Sequence, residues 1–395
     1  MTRVLLDISR LMSRVRHARP SGVDRVEMAY ARGLANLYGR DLSFCAVHPT
    51  GWYGRLRREV AETYLDELER RWADPKGTAG QRSLASAMPW MRRLLPTRKG
   101  IGTSDVLVQA SPHHLDRSEL VRHILATEQT RFVCMVHDLI PIEYPEYARP
   151  GGASQHETRM ATVTEFADAV IANSESTATS LKRWSDACGR SCPSVHVALL
   201  GTVPVARARK RGPADDKPHF VCLGTIEPRK NHLLLLHLWR DMAQSLPPDS
   251  VPRLAIIGRR GWENEQILDL LDRSSIMRPF VEEVSSCGDG ELAALVRGAK
   301  GLLMPSFAEG YGMPIAEALS AGTPVIASDI AAHREVGRSA ADYIDPLDGI
   351  AWKQTILDYA NDGPIRQAQL ERLRQWEAPD WDSHMDIASR VIEDV

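Results

Sequence analysis

Short apolar runs alternate along this chain with segments of helical period. In the first half the strand-like runs are RVLLDIS (3–9), LSFCAV (42–47), DVLVQAS (105–111), RFVCMVHD (131–138), AVIANS (169–174) and SVHVALLG (194–201). Among the intervening segments, GVDRVEMAYARGLANLYG puts Val26, Tyr30, Gly33, Leu34 and Leu37 on one face, the pattern of an amphipathic helix. A second series follows, with HFVCLGT (219–225), RLAIIG (253–258), PFVEEV (279–284), GLLMPS (301–306), PVIAS (324–328) and DYID (342–345). Helical runs such as KNHLLLLHLWRDMAQ and GELAALVRGAK separate these. Strands alternating with helices predict an α/β protein with largely parallel, doubly wound sheets.

VARARKRGPADDKP (205–218) interrupts both periodicities. It is charged, poor in apolar residues and contains Gly and Pro, so it reads as a linker between a first domain, 1–204, and a second, 219–375. In such sheets ligands bind beyond the carboxyl ends of the strands, so chemistry is expected in a cleft between the domains. The segment 55–100 fits the alternation poorly and sets basic residues beside Trp72 and Trp90. Two readings stay open for it: a helical insertion with a solvated basic face, or a peripheral contact with anionic lipid headgroups.

Composition narrows the class. With 395 residues, 43% hydrophobic and 25% charged, the chain can bury two ordinary cores. A net charge of −2 argues against a dedicated nucleic-acid binder. The apolar run at the start is broken by Asp7 and Arg10, unlike a signal peptide, and no stretch reaches the roughly 18 to 20 apolar residues that span a bilayer. A cytoplasmic setting is expected, with possible attachment at the inner face of the plasma membrane left to the segment 55–100. The six cysteines are scattered and read as thiols of a reducing compartment. Cys188 and Cys192 lack the second pair or histidine spacing of a zinc site, and no metal is expected.

The candidate chemistry lies in MPSFAEGYGMPIAEALSAGTPVIASD (304–329). Pro314 suits the first position of a helix and Gly322 its stop, predicting a helix over 314–321. Glu309 then sits in the loop before that helix and Glu317 in its first turn. Gly310 and Gly312 permit close approach of the backbone to a ligand, and a helix N-terminus offers free N–H groups to phosphate. Carboxylates accept from neighbouring sugar hydroxyls, so the combination suits a nucleotide sugar. The residues alone also allow a plainer reading, with Glu317 compensating the helix dipole and Glu309 solvated. Arg229 and Lys230, just past a strand end in LGTIEPRKNH, are either cationic donors suited to phosphate or a solvated basic pair capping the preceding turn.

PSFAEGYGMPIAEALSAGTPVIASD resembles the Glu-x7-Glu motif of the retaining glycosyltransferases of family 4, whose GT-B fold has two facing Rossmann-like domains. LGTIEPRKNH resembles the donor-phosphate segment of that family, VHDLIPIEYPE (136–146) its histidine-bearing strand end, VIANSESTATSL (170–181) its ANS-x-S/T stretch, and SGVDRVEMAYARGL (21–34) its first glycine loop and helix. These similarities keep family order from residue 3 to about 345. The resemblance implies a hexosyltransferase that uses a nucleotide-diphosphate sugar and needs no metal cofactor. It assigns Lys230 to the donor phosphates, with Thr225 standing where many relatives carry arginine. It assigns Glu317 to the ribose, Glu309 to the donor sugar, and Gly310, Tyr311 and Gly312 to backbone contacts. Gly22 would let the first domain approach the diphosphate, and His137 would lie beside the donor sugar, orienting a hydroxyl or stabilising a cationic transition state. WEAPDWDSHMDIASRVIEDV (376–395) resembles a family ending in which the last helix returns to the first domain.

EPRKN and GRRGW resemble mannosyl- and rhamnosyl-type members, which favours GDP-mannose over UDP- or dTDP-sugars. The expected acceptor is a bacterial surface polysaccharide or lipid-linked oligosaccharide. The four arginines of RLMSRVRHARPSG (10–22) either hold an anionic acceptor or form a solvated, flexible loop. A non-catalytic GT-B partner subunit is the alternative in another class. A nicotinamide-dependent oxidoreductase lacks its Gly-x-Gly-x-x-Gly signature here.

Overall fold

The computed structural model describes residues 2–17, 19–73, 84–97, 104–202, 217–285 and 287–395. They form two compact units. The first comprises Met1–Glu143, Pro150–Gly201 and Pro379–Val395. Its sheet holds β1 (Val4–Asp7), β2 (Leu42–Val47), β3 (Tyr53–Leu56), β4 (Val106–Gln109), β5 (Arg131–Val136), β6 (Ala169–Ala172) and β7 (Ser194–Val197). The strand order is β3-β2-β1-β4-β5-β6-β7. Every residue of β1, β4 and β6 is buried, which is why these strands read as continuous apolar runs and not as alternating ones.

β3 departs from the expected pattern: it pairs antiparallel with β2 at the sheet edge. The helices Arg58–Ala73 and Leu84–Arg93 follow it, so an edge strand and two helices account for the poor fit of 55–100. Residues 74–83 and 98–100 of that segment lie outside the described residues. Trp72 is buried, and the ring of Trp90 packs 5.3 Å from Tyr64 with the Arg93 guanidinium 5.6 Å over its face. Both indoles are therefore engaged with the protein itself. Among the described residues no helix is long and apolar enough to cross a membrane.

The helix Gly22–Tyr38 starts in a capping box between Ser21 and Asp24, which satisfies two otherwise free N–H groups. It buries Val26, Tyr30 and Leu34, whereas Leu37 in its last turn is 47% exposed, because the neighbouring Tyr38 takes the buried position there. The helix Trp381–Asp394 belongs to this unit. Its buried His384 is hydrogen-bonded to the Leu199 carbonyl at 3.0 Å and to the Tyr30 hydroxyl at 2.9 Å.

The second unit comprises Tyr144–Arg149 and Thr202–Ala378. Its sheet holds β8 (His219–Leu223), β9 (Arg253–Ile257), β10 (Val281–Val284), β11 (Gly301–Met304), β12 (Val325–Ser328) and β13 (Asp342–Ile344), in the order β10-β9-β8-β11-β12-β13. All five pairings are parallel. Trp239 and Trp352 fill its core, and their indole N–H groups donate to the carbonyls of Pro252 and Asp345. That removes the cost of burying an unpaired donor. Successive strands leave β8 first through β9 and β10 on one side, then through β11, β12 and β13 on the other. The order reverses between β8 and β11, and that is the point of an open α/β sheet where ligands gather.

Residues 205–216 of the linker fall outside the described residues. Tyr144–Arg149 was expected within a continuous first domain of 1–204 but packs with the second unit. The Trp262 indole donates to the Tyr147 carbonyl at 3.1 Å, Arg149 lies 4.5 Å over the Trp262 ring, and the Tyr147 ring runs parallel to Phe307 at 5.9 Å. These aromatic contacts draw the segment in.

Candidate active site

β8 ends at Leu223, and Gly224 turns the chain with φ +139°, a conformation that favours glycine. Gly258, after β9, presses on the same turn: a Cβ there would lie 1.8 Å from the Gly224 carbonyl oxygen. The chain then passes Thr225, half-buried, to the short 3-10 turn Pro228–Lys230, before the helix His232–Ser245. β11 neighbours β8 and delivers the loop Ser306–Glu309 to the same edge, where the Phe307 N–H donates to the Arg229 carbonyl at 2.9 Å. Sheet topology thus joins two loops far apart in sequence.

Their side chains form one ion-pair cluster. Lys230 Nζ donates to Glu309 Oε1 at 2.5 Å, and Arg229 Nη1 donates to Glu309 Oε2 at 2.8 Å. Arg229 also donates from Nη1 to the Ala308 carbonyl at 2.6 Å, and from Nε and Nη2 to Glu227 Oε1 at 3.0 and 2.6 Å. The Glu309 side chain is 9% exposed and that of Lys230 11%. Burial acting alone would raise the Glu309 carboxyl, but the charges of Arg229 and Lys230 outweigh it and hold the group well below the usual carboxylate range. The stem of Lys230 crosses Gly224, whose ideal Cβ would sit 3.2 Å from Lys230 Cε.

After Glu309 come Gly310, the buried Tyr311 and Gly312, which takes φ +109° to open the helix Met313–Ser320. This helix begins one residue earlier than the sequence suggests. Met313 takes the first position and Pro314 the second, where its missing N–H still costs nothing. Glu317 therefore stands half-buried in the second turn, not the first. Gly322, at φ +79°, follows the helix end.

Two residues of this site escaped the sequence reading. Glu227 is 3% exposed and anchors Arg229; its place in EPRKN was the available signal. His333, after β12, is fully buried, and the Ser328 carbonyl holds its Nδ1 at 3.0 Å. Burial pushes His333 down to about 4 against the opposing pull of Glu309, so the imidazole is neutral. No pattern around IAAHREVG marks it.

The remaining two candidates of the sequence, Gly22 and His137, lie in the first unit. His137 follows β5, and its Nε2–H donates to the Ala110 carbonyl at 2.8 Å. Its own carbonyl accepts from Asn173 Nδ2 at 2.9 Å and Thr177 Oγ1 at 3.2 Å, so the ANS stretch of the neighbouring strand grips the histidine backbone. Burial lowers the imidazolium pKa. Asp138 caps the turn that follows, accepting from the Ile140 N–H at 3.2 Å. Gly22 was expected in a loop; it is the exposed first residue of the helix Gly22–Tyr38, because the Ser21 cap starts the helix there. The segment 10–22 opens with the helix Ser9–Ser13 and a 3-10 turn, Arg14–Arg16, in place of a flexible loop. Arg10 and Arg14 both bind the buried Asp24, at 2.6 and 3.0 Å.

Among the described residues no group of three or more His, Cys, Asp or Glu side chains is arranged to hold a metal ion. The cluster at β8 and β11 offers cationic donors, carboxylate acceptors and a glycine-opened backbone at one sheet edge. Those are the groups that recognise a phosphate carrying a polyhydroxylated substituent.

Residues 206–376 match the family model Glycosyl transferases group 1. The serotype-specific mannosyltransferase WbdA of Escherichia coli is 27% identical over 232 residues, covering 54% of this chain and 28% of that protein. The O-antigen chain mannosyltransferase B of Escherichia coli is 34% identical over 152 residues, covering 38% of this chain and 39% of that protein. The chain thus matches well under half the length of these relatives. Among solved structures, Anabaena Alr3699/HepE in complex with UDP superposes with a TM-score of 0.64 at 15% identity, covering 100% of both chains. The fold is GT-B.

Proposed function

With a group 1 glycosyl transferase domain over residues 206–376 as the premise, we propose that this chain moves a hexosyl group from a nucleotide-diphosphate sugar to a glycan hydroxyl, with retention of configuration. The observation that carries the reading is the Lys230–Glu309–Arg229 cluster at the point where the second sheet reverses its strand order. Departure of a nucleoside diphosphate builds negative charge on its terminal phosphate, and a fixed ammonium in a nearly dry site stabilises that charge more than it stabilises the bound ground state. Lys230 takes this role. Glu309 is assigned to the donor sugar, Glu317 to the ribose, and Thr225, Gly310, Tyr311 and Gly312 to the walls of the donor site. The family resemblance assigns Gly22 to the diphosphate and His137 to the donor sugar, with the neutral His137 ring orienting a sugar hydroxyl. The two cations supply the charge compensation, and the proposal invokes no metal.

The mannosyltransferase names of the relatives favour GDP-mannose as donor and a surface polysaccharide or lipid-linked oligosaccharide as acceptor. A UDP-sugar is the second choice, since UDP is bound in the HepE structure. A thermal-shift panel of GDP, UDP, dTDP and ADP tests the reading. One of them should raise Tm, because a ligand at 100 times its Kd stabilises by about 2.7 kcal/mol. No shift with any of the four at millimolar concentration would refute a donor site. Release of free nucleoside diphosphate from the matching sugar then separates an enzyme from a binding subunit.

A further inference from the structure

The cluster is already electrically satisfied. Arg229 and Lys230 carry two positive charges, and Glu227 and Glu309 two negative ones, all within direct hydrogen bonds. A diphosphate entering such a nearly buried set without displacing an anion would leave its own charge uncompensated where water screens poorly. One of the two carboxylates must yield. Glu227 is the fixed one: it is 3% exposed and receives both Nε and Nη2 of Arg229, a planar fork with little freedom. Lys230 is the compliant cation, a single ammonium on a four-carbon stem lying over a glycine that presents no side chain. Each Glu309 oxygen meets a cation, and the side chain is 9% exposed, leaving it little surface for a sugar.

We propose that Glu309 is the resting occupant of the phosphate cation. In the free protein it holds Lys230, and an incoming diphosphate takes its place there. The displaced carboxylate then accepts hydroxyls of the sugar attached to that diphosphate. This inference rests on the donor-site reading and adds an order of events to it: the phosphate must arrive before Glu309 can serve the sugar. Free nucleoside diphosphate therefore competes with Glu309, whereas a complete nucleotide sugar recruits it.

The test is calorimetric titration of GDP and UDP into the wild type and the Glu309→Gln variant at pH 7.5 and physiological salt. Glutamine keeps the size and removes the competing charge. The variant should bind the preferred diphosphate at least about tenfold more tightly while its transfer from the nucleotide sugar is lost. Wild-type binding with equal or weaker binding by Glu309→Gln would overturn the exchange and leave the donor site standing. No binding of either diphosphate to either protein would remove the donor-site reading and the exchange with it.

Losing the anion between two cations will lower the stability of the free variant, so Tm is measured with and without diphosphate. The rise on binding should be larger in Glu309→Gln than in wild type. Should the glutamine variant fail to fold, Glu309→Asp enters the same titration; its shorter carboxylate retreats from Lys230 and should tighten diphosphate binding too. A smaller Tm rise in either variant contradicts the proposal.

Discussion

Glu27 shows how burial can change what a side chain does. It is fully buried in the helix Gly22–Tyr38, with one carboxyl oxygen accepting from the Leu11 N–H at 3.1 Å. Burial, with a contribution from nearby Asp7, pushes its carboxyl up to about 8 from an ordinary 4.5, and burial raises Asp7 to about 6. Between these limits the folded chain keeps a proton that the unfolded chain releases, so Glu27 makes stability fall as pH rises from about 4.5 to 8. Glu27→Gln, neutral at every pH, should therefore raise Tm more at pH 8 than at pH 5, as thermal unfolding at the two values will show. An equal change at both would mean that the carboxylate is ionised in the folded state. Of the residues that matter, Glu309, Lys230 and Arg229 were legible because their motif fixes their spacing along the chain. Glu27, Glu227 and His333 were not: Arg229 and Ser328 lie close in sequence to Glu227 and His333, but the burial that gives all three their weight is set by the fold.

The central strands were the plainest elements to read, although the sparsely buried strands β7, β10 and β13 at the sheet edges were marked as well. Strands covered on both faces, such as β1 and β4, show as apolar runs, and each of the twelve runs marked on the sequence contains a strand. β3 alternates between half-buried and buried residues at an edge, and its four residues, YGRL, carry no comparable signal. The helix after Glu309 began a residue early because Gly312, in a left-handed conformation, can hand over to Met313. Gly258 shows what the turn after β8 demands. A methyl group there meets backbone, which cannot rotate away, so Gly258→Ala should cost at least about 2 kcal/mol in urea unfolding. Gly290, in the helix Asp289–Gly298 with nothing within 4 Å of an ideal Cβ, is the control. Gly290→Ala should be neutral or stabilising. Equal effects at the two positions would show that the contact at Gly224 is not a constraint.

At the scale of the whole molecule, the sequence carried the two α/β units and, through the family resemblance, the return of the last helix to the first of them, but not the place of Tyr144–Arg149. Alternating strands and helices announce a parallel sheet, and a break in that rhythm announces a second one. The return of Pro379–Val395 to the first unit and the excursion of Tyr144–Arg149 into the second depend on tertiary contacts, His384 with Tyr30 and Tyr147 with Phe307. The fold sets the stage without choosing the chemistry, and the proposed chemistry belongs to the few side chains at the β8 and β11 edge. The most direct measurement is therefore steady-state release of nucleoside diphosphate from the preferred sugar donor by the wild type and by Lys230→Ala. Glu309 has Arg229 as a second partner, so the cluster remains built while the proposed phosphate cation is gone. On the assignment of Lys230 to the donor phosphates, turnover should fall by about two orders of magnitude or more. Turnover equal to that of the wild type would contradict it.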